Sequence, residues 1–127
     1  MNKPTNEQIE EFWEWCGWNW EVSPPNICEL GSIRYYHLAG KESRFDGYPD
    51  VDLNNLFRWA VPKMDYAEIN YDYRQSEVLG KGYKETHSDF IYSASVSLDV
   101  YDEKHADVEN IDPALALFWA IYEVIKQ

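Results

Sequence analysis

Apolar positions near the start of the chain recur with helical spacing. Ile9, Phe12, Trp13 and Cys16 fall at i, i+3, i+4 and i+7, while Glu7, Glu10, Glu11 and Glu14 occupy the opposite side. Thr5 and Gln8 form a capping-box pair ahead of this run, and Gly17 supplies a left-handed stop after it. The same cadence returns at Leu53, Leu56, Phe57 and Ala60. Asp50 or Asp52 is placed to cap that second helix, and Pro62 limits it. A third helix is expected from Pro113 to Lys126. Asp112 is its cap, Pro113 is pre-set for the first turn, and Lys126 suits the negative end of the dipole. Its interior is apolar nearly all the way round, the mark of a helix buried on most sides or docked on another chain.

Period-two alternation marks the strands. Ala67, Ile69, Tyr71 and Tyr73 alternate with Glu68, Asn70, Asp72 and Arg74, and Ala94, Val96, Leu98 and Val100 alternate with Ser93, Ser95, Ser97 and Asp99. Strands with one apolar and one polar face read as antiparallel sheet with a side open to water. Ile33–Ala39 reads as a third strand. Gly80-Lys81-Gly82 reads as a turn that closes a further hairpin with Val78 and Leu79 on one arm. Together these elements predict an α+β fold. The expectation is one domain over residues 1–127, a small antiparallel sheet packed with about three helices.

Length and charge narrow the function classes. A chain of 127 residues buries a real core without metal or disulfides. Its 23 acidic and 11 basic side chains leave a formal charge of −12, the wrong sign for binding a nucleic-acid backbone over a broad surface. Cys16 and Cys28 are too few for a disulfide framework and read as free thiols. A polar, acidic start and an apolar stretch, Ala114–Tyr122, shorter than the ~20 residues of a membrane span point to the cytoplasm and away from a membrane.

Three segments carry a family resemblance: Phe12–Gly17 (FWEWCG), Tyr48–Pro62 (YPDVDLNNLFRWAVP) and Asp112–Ile121 (DPALALFWAI). Together they resemble small phage and prophage proteins of the phage ABA sandwich type, most of which have no assigned activity. The resemblance implies a sheet packed between helices, in a protein made in the cytoplasm of an infected bacterium.

No residue set stands out as catalytic. His105, Asp107 and Glu109 alternate, so on an extended segment all three would point one way and could hold a divalent metal, with Asp99, Asp102 or Glu103 nearby. The plainer reading is a solvated acidic loop between the last strand and the last helix, with no metal and no cofactor. His87, Ser88 and Asp89 are sequence neighbours, which along one strand does not give the geometry of an activated nucleophile. Gly80-Lys81-Gly82 lacks the other elements of a phosphate loop. Among the aromatics, Trp15 and Trp59 lie off the core faces of their helices, and Arg58 adjoins Trp59. Second-layer core is the plain reading of these tryptophans. An oligomer interface or a stacking platform for a planar ligand is the functional one, and it makes Trp15, Arg58 and Trp59 the candidate binding residues.

The expected function is therefore a non-enzymatic phage or prophage accessory protein that binds a host or phage protein or assembles with itself through its third helix. The alternatives are a nucleotide or small-ligand binder in phage–host conflict and an acidic DNA mimic. The mimic would use the carboxylates of the first helix, for which solubility is the simpler explanation.

Overall fold

The computed structural model describes residues 3–22, 34–38, 42–44, 47–80, 83–99 and 104–127. Cys28, the turn residues Lys81 and Gly82, and Asp102 and Glu103 lie outside the described residues, and for His87, Ser88 and Asp89 the description covers the backbone alone. The class is the expected α+β one, and the strands are distributed over two three-stranded antiparallel sheets. Contacts group the chain into two units, Asn2–Val51 and Asp52–Gln127.

In the first unit, helix α1 spans Asn6–Trp15. The capping box is present: the Gln8 amide donates to Thr5 Oγ1 at 3.2 Å, and the Thr5 amide donates to Gln8 Oε1 at 2.9 Å. Phe12, Trp13 and Cys16 are buried as their spacing requires, and Cys16 is a free thiol. Gly17 ends the turn at φ +105°, where a Cβ would stand 3.1 Å from Leu38 Cδ1, so both backbone and space call for glycine. The alternating segment after it becomes β1 (Trp18–Val22), which pairs antiparallel with β2 (Arg34–Leu38), itself paired with β3 (Glu42–Arg44). Tyr48 lies edge-on to Tyr36, with ring centroids 4.6 Å apart, and its hydroxyl donates to Glu14 Oε1 at 3.1 Å. Burial, and then that carboxylate, push the Tyr48 phenol well above its ordinary range.

The second unit departs from the expected second helix. Asp52 is the cap, accepting from the Asn55 amide at 2.8 Å, but α2 covers only Leu53–Asn55 before the chain widens into a π turn, Leu56–Ala60, and a 3-10 turn, Val61–Lys63. The Val61 amide reaches back five residues to the Leu56 carbonyl. The wider winding puts the buried Leu56, Ala60 and Met64 four residues apart and turns Phe57, expected in the core, outward at 47% exposure.

Strands β4 (Tyr66–Gly80) and β5 (Tyr83–Ser97) form one long hairpin, paired from Tyr66↔Ser97 to Gly80↔Tyr83. The hairpin expected to carry Val78 and Leu79 on one arm is this same one: Val78 pairs with Glu85, Leu79 with Lys84, and Gly80 ends β4 at the β4–β5 connection. The strand expected over Ser93–Tyr101 ends at Ser97 and begins ten residues earlier than its alternation suggested. His105–Asn110, expected as a loop, is strand β6, paired with Tyr92–Ser97 of β5. Helix α3 (Pro113–Lys126) starts at Asp112, whose carboxylate accepts from the amides of Ala114 at 2.8 Å and Leu115 at 3.4 Å. It packs on β5 and β6 and touches α2 and the π turn. Ala94 and Val96 of β5, Ala106 and Val108 of β6, and Leu117, Phe118, Ile121 and Val124 of α3 are buried. Leu115, Trp119, Tyr122 and Ile125 are half-buried.

Candidate functional site

The face of the second sheet opposite α3 follows from register. Because side chains alternate, the pairing that turns Ala94, Val96, Ala106 and Val108 inward must turn Ser93, Ser95, Ser97, His105, Asp107 and Glu109 outward. The same register brings Tyr66 opposite Ser97, Glu68 opposite Ser95 and Asn70 opposite Ser93. Three strands therefore present a continuous polar surface, with His105, Asp107 and Glu109 on one face, as the alternation implied for an extended segment.

One end of this surface is concave. A cavity of about 460 Å³ is lined by Asp65, Tyr66, Ser95, Ser97, Asp99 and Asp107, together with Val96 and His105. Such a volume suits a small ligand or a single side chain of a partner. Its frame is fixed by backbone. The Asp65 amide donates to the Ser97 carbonyl at 3.0 Å, the Leu98 amide to the Lys104 carbonyl at 2.9 Å, and Gln127 Nε2 to the His105 carbonyl at 2.8 Å. Ser97 is 4% exposed, and its hydroxyl donates to the Asp99 carbonyl at 2.7 Å.

The order of groups decides what chemistry the site can do. Ser95 Oγ donates to Asp107 Oδ1 at 2.5 Å, while His105 Nε2 stands 3.4 Å from Asp107 Oδ2. A hydrolytic triad needs the imidazole between the hydroxyl and the carboxylate, so that it can take the hydroxyl proton. Here the carboxylate is in the middle, and the serine proton is committed to it. Beside it, the hydroxyl of Tyr66 and Asn70 Nδ2 (2.7 Å) both donate to the Glu68 carboxylate. The Tyr66 bond first and the Asn70 bond second hold the Glu68 carboxyl below the usual range, and the same carboxylate raises the Tyr66 phenol. Among the described residues, no group of three or more His, Cys, Asp or Glu side chains is placed to hold a metal ion.

The residues singled out from the sequence lie elsewhere. Trp15 is half-buried on α1 of the first unit. Arg58 and Trp59 come together on the π turn of the second, the guanidinium carbon 4.4 Å from the indole centroid. A stretch of this type frequently accompanies function. A planar ligand on that indole face would have to displace the arginine. Sequence reasoning missed Asp65, Tyr66 and Ser95. The available signal was the match between Ser-x-Ser-x-Ser at 93–97 and His-x-Asp-x-Glu at 105–109, two polar period-two runs able to pair on one face.

Among the described residues, no helix is long and apolar enough to cross a membrane. Comparison with known proteins returns no match: no family model, no curated protein and no solved structure.

Proposed function

We propose that this chain is a non-catalytic binding protein whose recognition surface is the outer face of β4, β5 and β6, and that it takes a cationic side chain of a protein partner into the cavity beside Asp107. The observation that carries this reading is the Ser95–Asp107–His105 arrangement, in which the carboxylate is held between two neighbours and the hydroxyl is a donor rather than a nucleophile. Asp65, Asp99 and Asp107 line the cavity against one imidazole. The balance favours a positive or proton-donating guest, for which Arg is the best-shaped side chain. Bound beside the Asp107 carboxylate, already fixed by the hydrogen bond from Ser95, such a guest meets an acceptor that needs little reordering.

The wider role proposed is that of a phage or prophage accessory protein acting on a host or phage protein, supported by the resemblance of the three segments around Trp13, Leu56 and Leu117. A thermal-shift comparison tests the binding reading. Short Arg- and Lys-bearing peptides raise the melting temperature by mass action, the native state gaining about 2.7 kcal/mol at a hundredfold excess over Kd. The Asp107→Asn variant loses the shift, and nucleotides give none. A shift with nucleotides that Arg58→Ala removes, or turnover abolished by one substitution on the polar face, sinks it.

A further inference from the structure

The outer face of the second sheet is a trough, and its relief follows from side-chain size. Register sets Tyr66 and His105 on either side of Ser97, and Glu68 and Asp107 on either side of Ser95. The four flanking side chains are exposed, whereas Ser95 is half-buried and Ser97 buried. Serine is the shortest of them, so β5 makes a floor between β4 and β6, whose backbones lie two strand spacings, about 10 Å, apart. The cavity occupies the Ser97 end of this trough.

The two walls of the trough differ in chemistry. On the β6 side stand a carboxylate and an imidazole; on the β4 side stands an aromatic ring. Tyr66 lines the cavity, is 51% exposed, and donates its hydroxyl to Glu68, two residues along the same strand. Asn70 Nδ2 holds the Glu68 carboxylate in turn, at 2.7 Å. The bond to Glu68 draws the ring along β4 rather than across Ser97, and leaves the floor of the trough open. With its polar end committed to its own strand, the phenol offers a guest its ring.

We propose that Tyr66 is the specificity-determining residue of this site: a guest arginine lays its guanidinium against the Tyr66 ring while its edge donates to Asp107, and the ring separates arginine from lysine. The inference rests on the reading of the cavity as a site for a cationic side chain, and names what selects among cations. Asp107 by itself attracts any of them. Its Oδ1 takes the Ser95 proton, yet each carboxylate oxygen has a second lone pair, so both oxygens still accept. A guanidinium is planar, with donors on its edge and weakly hydrated faces, so it stacks on a ring and donates edgewise at once. An ammonium is compact and strongly hydrated, and gains no flat contact for the water it would give up. An aromatic wall and a carboxylate across a floor of short side chains suit the flat cation.

Calorimetric titration of the intact chain tests this, with short peptides identical except for one central residue: arginine, lysine or citrulline, the flat but uncharged analogue of arginine. The arginine peptide is expected to bind about fivefold more tightly than the lysine one, and the citrulline peptide at least about tenfold more weakly than arginine. Tyr66→Leu brings arginine down to the level of lysine and changes lysine by less than about twofold. Tyr66→Phe keeps the ring but cuts its tether to Glu68, and retains more of the arginine preference than Tyr66→Leu does. Equal affinity for arginine and lysine in the native protein overturns the inference; if Asp107→Asn still abolishes binding, the cation site itself stands. A Tyr66→Leu variant that weakens both peptides equally overturns it too, because the ring would then only support the cavity. Citrulline binding as tightly as arginine, or no peptide binding at all, overturns the inference together with the reading of the cavity. Far-UV circular dichroism of each variant establishes that its fold is retained.

Discussion

The two faces of the β4–β5–β6 sheet are built from the same strands and differ by one residue of phase. On the inner face Ala94, Val96, Ala106 and Val108 are buried under α3; on the outer face, one position along, lie Ser95, Ser97, His105 and Asp107. The inner face uses small and β-branched residues, which let a helix approach closely and fit a pleated surface. The outer face carries hydroxyls and carboxylates already bonded to one another. Buried packing is thus concentrated on one side and polar side chains on the other, and a side chain's surroundings on this sheet are set by its parity.

The sharpest way to break that division is to move a charge across it by one residue. Val108→Asp puts a carboxylate, with no partner built for it, where the side chain is 3% exposed. The expected loss is about 3–5 kcal/mol, enough to leave a domain of ordinary stability largely unfolded. Chemical denaturation of Val108→Asp beside the native protein, whose residue 107 is already an aspartate, reads the difference. A Val108→Asp midpoint equal to the native one would mean that α3 does not cover this strand.

A second contrast lies within the π turn. Leu56 is fully buried and its neighbour Phe57 is 47% exposed. Leu56→Ala is expected to cost about 2–5 kcal/mol, and Phe57→Ala less than about 1 kcal/mol, although phenylalanine is the larger side chain. Regular α-helical spacing through this stretch would turn Phe57 inward and reverse the order, so thermal melts of the two variants report the winding directly.

On the outer face the stability effects shrink while the functional ones grow. Ser95→Ala removes an exposed hydrogen bond and Asp107→Asn an exposed charge, and each is expected to shift stability by no more than about 0.5 kcal/mol. Both should nonetheless abolish the peptide-induced rise in melting temperature proposed above. A large loss of stability with binding intact would place Asp107 among the structural residues and not on a recognition surface.

These contrasts also mark what was legible in the sequence. The caps at Thr5 and Asp112 were, because a cap is a bond between neighbours three residues apart or fewer. The buried face of α1 and the alternation at 66–72 were legible because period alone assigns them. The π turn was not: Leu53, Leu56, Phe57 and Ala60 fit an α-helix as written, and the choice of winding is made by what Leu56, Ala60 and Met64 pack against. β6 was hidden because only Ala106 and Val108 are apolar in it, and its strand character comes from pairing with β5. The outer ends of β4 and β5 lack alternation for the same reason; each is extended because the other lies beside it. The cavity draws on the start of β4, the end of β5 and its exit, and β6, so no single window of sequence contains it.

The smallest expected effect concerns Glu68, at the rim of the recognition face. Its carboxylate accepts from the Tyr66 hydroxyl and from Asn70, bonds that are stronger while it is ionised. Its pKa is therefore below the ordinary glutamate range, and that of Tyr66 above the ordinary tyrosine range. For Glu68 the folded value is the lower one, so its contribution to stability is present above the unfolded pKa and is lost as pH falls through the folded value. For Tyr66 the folded value is the higher one, so its contribution is present below the unfolded pKa and is lost as pH rises through the folded value. Both groups are fully exposed, so the pair should leave little trace in acid denaturation curves and a clear one in site-resolved NMR titration. Tyr66→Phe removes the stronger donor and should return the Glu68 midpoint most of the way to its ordinary value, with Asn70 retaining the remainder. A Glu68 midpoint unchanged by that substitution would mean that the outer face is not held in place before its guest arrives, and its carboxylates would then behave as the solvated charges of any acidic surface.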